Sequence, residues 1–174
     1  MKIAFFLLAV LFSTATLADD FFTKPSTITV FGGKSVSNSI SDQKSNAWGL
    51  EQETPTRLGG AALFGYLNEG HKLNQYGGDK RDGVYLQAKF PYQLTHSVQT
   101  FFAAGPYYTA TTITDPDGVH YRDSYCLSFL ATAGVKVNLT EKWSTQARWA
   151  HVIFAPNNKD ADVFLIGVGY TPNW

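Results

Sequence analysis

One cysteine, Cys126, is all the chain has, so no internal disulfide can staple it. Charged residues are scarce as well, at 16% against the roughly 25% of ordinary soluble domains. Fourteen basic residues are balanced by fourteen acidic ones, which leaves no field to attract nucleic acid. Beyond the N-terminus no segment offers the ~20 continuous apolar residues of a membrane helix. If the mature chain enters a membrane, it does so as strands. Metal-ligand spacing is missing too, because His71, His96 and His120 are scattered over expected loops. "TDPDGVH" (114–120) is first of all a turn, with too few oxygen ligands for calcium. "YGGDKRDG" (76–83) lacks the strand–loop–helix setting of a phosphate cradle. No metal and no cofactor are expected.

What is present starts with a leader. "MKIAFFLLAVLFSTATLA" combines an early lysine, an apolar run over 3–12 and a small-x-small ending. This is the pattern of a secretory signal peptide, so residues 1–18 are expected to be removed and 19–174 to form one domain. Aromatics reach 15% of the chain. Few charges and many aromatics together suggest a surface that meets something other than water.

Period-two alternation predicts strands over 26–35, 46–54, 57–67, 83–90, 98–111, 123–137, 143–154 and 162–172. In the last of these Phe164, Ile166, Val168, Tyr170, Pro172 and Trp174 share one face, and Val163, Leu165, Gly167, Gly169 and Thr171 the other. In the sixth, Tyr125, Leu127, Phe129, Ala131, Ala133, Val135 and Val137 oppose Ser124, Cys126, Ser128, Thr132 and Lys136. In the fourth, Val84, Leu86, Ala88 and Phe90 oppose Gln87 and Lys89. Each strand thus separates a greasy environment from a mixed one.

The connections alternate in length. Short ones are expected at 54–56, 91–97 and 138–142, long polar ones at 36–45, 68–82, 112–122 and 155–161. An even strand number with short turns at one end and long loops at the other describes an eight-stranded antiparallel transmembrane β-barrel of the bacterial outer membrane. Only closure satisfies every backbone group in hydrocarbon, so the first and last strands should meet. Trp143, Phe90, Tyr92, Tyr170 and Trp174 fall near the short turns, while Tyr66, Tyr108, Tyr125 and Trp149 fall towards the long loops. Those are two aromatic girdles. The mixed face carries Glu51, Glu53, Arg57, Lys89, Lys136 and Arg148, expected to pair with one another in a filled lumen. Lys80 and Arg81 are expected on a solvated loop tip. The competing architecture is a soluble ligand-holding barrel with its apolar face inward. Parity alone does not exclude it; the girdles, the terminal aromatic and the loop asymmetry favour the membrane.

The stretch "ARWAHVIFAPNN" (147–158) places His151 on the face of Trp143, Ala147 and Trp149, opposite Gln146 and Arg148. That is the lipid face, near the rim with the long loops. Asp162 opens the eighth strand on the same face. With Ile153 opposite Asp162, His151 would lie one diagonal step from the carboxylate. A carboxylate that orients an imidazole is two thirds of a hydrolytic triad. The simpler role for His151 is an amphipathic rim residue that hydrogen-bonds lipid headgroups.

"FFAAGPYY" and "SYCLSFLATAGVKVNLTEKWSTQARWAHVIFAPNN" resemble the second half of the outer-membrane lipid A 3-O-deacylases, the PagL-like or acyloxyacyl-hydrolase-like barrels. The shared features are an F-x-x-A-G strand from Phe101, Gly134-Val135-Lys136, and an R-x-x-H strand from Arg148 to His151, followed by an Asn-rich loop and a closing strand. The resemblance spans roughly 101–170. It implies a bacterial outer-membrane location, contact with lipid A and a carboxylic ester hydrolase site. It also implies a histidine on the outer wall that activates a serine two residues on, an adjacent asparagine for the oxyanion, and an acid at the start of the last strand. His151 matches the histidine and Asp162 stands for the acid. The serine position is Ile153 and the asparagine position is Phe154; neither can do the chemistry. Ser124 and Ser128 are expected on the wrong side of the wall. Two functions from different classes follow: a lipid A ester hydrolase, weakened or using another nucleophile, or a non-enzymatic barrel that meets lipopolysaccharide or a surface partner.

Overall fold

Alternating side chains settle into strands when the backbone finds a partner on both sides, and here each strand does. The computed structural model describes residues 25–37, 44–74, 77–114, 117, 119–153 and 160–172. The elements are β1 (Thr27–Ser37), β2 (Lys44–Pro55), β3 (Ala61–Asn74), β4 (Gly77–Gln93), β5 (Val98–Thr114), β6 (His120–Asn138), β7 (Trp143–Ile153) and β8 (Ala161–Tyr170). They form a closed antiparallel barrel in chain order. β1 meets β8 in register from Ile28↔Tyr170 to Ser37↔Ala161, so no strand edge is left open. The expected leader, Phe154 and Trp174 lie outside the described residues.

The faces of β4, β6 and β8 are those expected. Leu86 and Phe90 point outward against Gln87 and Lys89; Leu127 and Phe129 outward against Ser128 and Leu130; Phe164, Ile166 and Val168 outward against Val163 and Leu165. Ile28, Val30, Leu50 and Phe102 extend the exposed apolar belt around the wall. A soluble monomer rarely displays a continuous apolar patch of that extent. The inward face instead holds Glu51, Glu53, Lys89, Lys136 and Arg148, all buried. This arrangement excludes the ligand-holding barrel with an apolar inside.

Side chains fill the lumen. Phe31, Leu63, Leu67, Tyr85, Tyr107 and Leu130 make its apolar layers, and the charges between them are paired. Arg148 forms an ion pair with Glu51, while the Tyr85 hydroxyl donates to the same carboxylate at 2.7 Å. The guanidinium also lies 3.7 Å from the Phe31 ring centre. One layer nearer the short turns, Glu53 bridges Lys89 at 2.9 Å and Lys136 at 3.0 Å.

Three sequence expectations are corrected. First, 68–82 and 112–122 are not loops: β3 runs to Asn74, β4 starts at Gly77, β5 runs to Thr114 and β6 starts at His120. These stretches are mostly polar in sequence, so backbone pairing, with no amphipathic stripe, marks them as strands. Secondly, the first short turn is Thr56–Gly60, closed by Thr56 N–H donating to Gly60 O at 2.9 Å. Gly59 sits there at φ 83°, a left-handed value that glycine tolerates. β3 therefore starts four residues later than expected, and Arg57 is exposed on the turn, not in the lumen. Thirdly, Arg81 is not at a loop tip. It is 3% exposed, points inward from β4 and lies 3.6 Å from Glu69. Lys80 is exposed, as expected.

Arg81 shares the inward parity of Tyr85, Gln87 and Lys89, and a bulge in β3 lies beside it. The register of β3 against β4 shifts between Asn68 and Gly70, with Gly70 at φ 80° and its N–H donating to Asn68 Oδ1 at 2.8 Å. The extra residue, Glu69, turns inward and reverses the parity beyond it. Lys72 then points into the lumen, 3.4 Å from Glu69.

Candidate functional site on the outer wall

β7 places Trp149, His151 and Ile153 on the outer face because their neighbours Arg148, Ala150 and Val152 are buried in the lumen. β8 brings Asp162 directly opposite His151. The sequence expectation put Ile153 in that place; the register is two residues different, and a shift of two keeps every side chain on its expected face. His151 Nδ1 lies 2.9 Å from Asp162 Oδ1. A carboxylate only accepts, so Nδ1 carries the proton and Nε2 the lone pair that a general base would use.

A third member comes from Trp149, which the sequence marked only as a girdle aromatic. Its indole Nε1 donates to the same Asp162 oxygen at 2.7 Å. Its ring stacks on His151 with centres 5.7 Å apart and planes at 27°. The imidazole is thereby held at one nitrogen and along one face. The indole periodicity was visible in the sequence; the shared carboxylate required the register.

The chemistry stops at the nucleophile. Ile153 lies on the outer face, opposite Phe129 of β6, and a residue two along a strand sits roughly 7 Å away. Ala131, the cross-strand partner of His151, has no reactive atom either. Ser128 is buried in the lumen, and Ser124 shares its face. The described residues here thus pair an imidazole with a carboxylate, while Ile153 and Ala131 beside them carry no hydroxyl or thiol. Among the described residues no cluster of three or more metal-ligating side chains exists.

The girdles bracket this wall. Trp143 and Tyr170 pack with centres 4.9 Å apart near the short turns. Towards the far rim, Trp48 lies 5.3 Å from Tyr66 and Tyr108 stacks on Tyr125 at 6.3 Å.

Comparison with known proteins agrees with this architecture. Neisserial surface protein A superposes with a TM-score of 0.67 at 14% identity, covering 84% of this chain and 96% of that one. The N-terminal barrel domain of Pseudomonas aeruginosa OprF gives 0.63 at 14% identity, with 86% and 98% covered. The attachment invasion locus protein Ail of Yersinia pestis gives 0.59 at 10% identity, with 85% and 99% covered. At such identities the likeness is one of fold. No curated protein matches the chain in sequence. The family model described as "Outer membrane protein beta-barrel domain" matches residues 4–171. The apolar outer belt, the closed sheet and this match lead to one conclusion: the chain belongs to the outer membrane protein β-barrel family and resides in the outer membrane.

Proposed function

We propose that the protein is a non-conducting, non-hydrolysing barrel whose outer wall engages lipid A headgroups in the outer leaflet. The site descends, on this reading, from the deacylase arrangement that the sequence resembles. One observation carries it: His151 is held by Asp162 at 2.9 Å on the lipid-facing wall, while the residue beside it on that wall is Ile153. An oriented imidazole with no nucleophile can still hydrogen-bond a phosphate or a sugar hydroxyl. Stacking on Trp149 suits the same level, where amphipathic rings lie between hydrocarbon and water. The filled lumen supports a non-conducting barrel, since an interior of ~8 strands is just wide enough for side chains to fill.

Mass spectrometry of lipid A from cells that express the protein tests the reading. The parent should leave the lipid A profile unchanged. Ile153→Ser together with Phe154→Asn restores the hydroxyl and the amide donor implied by the resemblance. General-base activation is worth roughly 10²–10⁴-fold, so loss of one hydroxyacyl chain should become visible and should vanish on adding His151→Ala. Deacylation by the parent itself would overturn the proposal and point to a nucleophile elsewhere.

A further inference from the structure

Below the dyad the outer wall carries a depression that the headgroup contact does not use. Cross-strand register lays out its rows: Val135, Ala147, Ile166, Gly32 and Trp48 in one, and Ala133, Trp149, Phe164, Lys34 and Asn46 in the next towards the far rim. Gly32, Ala133 and Ala147 form a low floor, and Val135, Trp149, Phe164 and Ile166 stand around it. Gly32 is the opening. A Cβ added there meets nothing within 4 Å, whereas one at Gly33 falls 1.8 Å from the Phe164 carbonyl oxygen. Close packing therefore does not explain the glycine at 32.

Cations gather at the rim end of the groove. Lys34 is exposed, with Nζ donating to Asn46 Oδ1 at 2.6 Å. Lys44, also exposed, lies on the same face two residues from Asn46, the cross-strand partner of Lys34. Diagonal neighbours of this kind are within reach of one ligand. The groove is apolar along its length, and at the level where headgroups begin Lys34 and Lys44 outnumber the one neighbouring carboxylate, Asp162, which pairs across from Val36 and accepts from Trp149.

We propose that the groove seats one acyl chain of a lipid A molecule, with Lys34 and Lys44 holding its phosphate. This deepens the headgroup reading and rests on it, because both place the same lipid at the same rim. Hydrocarbon gains little by leaving one apolar setting for another. The groove therefore contributes shape, through close packing along the chain, and the lysines contribute charge. Lipid A fits both demands in the outer leaflet, being phosphorylated and carrying several saturated chains around one headgroup.

Native mass spectrometry of the purified barrel in detergent micelles, titrated with lipid A, is the test. Parallel arms use phosphatidylglycerol and phosphatidylethanolamine. The parent should retain one lipid A. Gly32→Trp starts from a position where an added Cβ meets nothing within 4 Å, fills the groove and should weaken retention by on the order of tenfold. Lys34→Gln should weaken it about fivefold, as one lysine beside an anionic lipid does. Leu86→Trp, on the opposite wall, should behave as the parent does. Parental retention by Gly32→Trp would overturn the groove, and equal retention of phosphatidylglycerol would overturn lipid A as its occupant. His151→Ala separates the two readings. If it alone loses lipid A, the headgroup contact stands and the groove falls; if Gly32→Trp alone loses it, the groove stands and the headgroup contact falls.

Discussion

Arg148 and His151 stand three residues apart on β7 and face opposite solvents. Each is paired with a carboxylate on another strand, Glu51 for one and Asp162 for the other. The inner pair is almost wholly buried, at 2% and 1% exposure, and the outer pair is 25% and 24% exposed. Inside, the Tyr85 hydroxyl and the rings of Phe31 and Tyr85 surround the guanidinium, so its charge has nowhere else to go. Outside, one face of the imidazole is stacked and the rest meets whatever the membrane offers. The same acid–base chemistry is structural on one side of a single strand and available to a ligand on the other. Parity alone makes the difference.

The largest effect should come from breaking the inner pair. Glu51→Ala leaves Arg148 buried without its carboxylate, which costs about 3–5 kcal/mol when one partner of a buried pair is removed. Urea unfolding in micelles, followed by tryptophan fluorescence, should show the midpoint fall accordingly. Glu51→Leu with Arg148→Met should regain most of the loss, because no stranded charge remains. A parental midpoint for Glu51→Ala would make the lumen network a bystander.

A sharper contrast separates adjacent glycines. Gly33→Ala forces a methyl against the β8 backbone and should destabilise by about 1–3 kcal/mol, the range for overpacking. Gly32→Ala projects into open space on the outer wall and should leave the unfolding midpoint unmoved. Equal losses at both would mean that the wall is tighter than its register implies.

Much of this contrast was legible in the sequence, for a physical reason. Side chains alternate strictly across a strand, so the face of His151, Ile153 and Ser128 followed from parity once the barrel was accepted. Register did not follow, because pairing Asp162 with Ile153 or with His151 satisfies the same faces. The sequence also offered no hydropathy contrast where polar residues alternate with polar residues, even though Glu69, Lys72 and Arg81 are buried, which hid the ends of β3, β4, β5 and β6. Arg57 was misplaced because Leu58 looked like a strand residue, although it is 84% exposed on a turn. Glu69 keeps the parity of Leu67 but fell in a stretch expected to be a loop, and Lys72 escaped notice because the bulge reverses parity beyond Glu69; only the Asn-x-Gly spacing of Asn68 and Gly70 hinted at it.

The smallest effect should come from the outer pair. Asp162→Ala removes the acceptor shared by Trp149 and His151, but both donors lie where headgroup oxygens or water can replace it. An exposed pair contributes roughly 0.2–1 kcal/mol, so the midpoint should move by no more than that. What should change is the imidazole itself. In the parent the carboxylate fixes the proton on Nδ1; without it both tautomers become accessible. Nitrogen-15 spectra of labelled histidine, with His151→Ala to assign the resonance, should show one tautomer in the parent and a mixture in the variant. If Asp162→Ala instead lost as much stability as Glu51→Ala, the dyad would be part of the scaffold, and the case for a ligand at the rim would lose its footing. A mixture of tautomers in a barrel of parental stability would mean that Asp162 aims the histidine at something outside the protein.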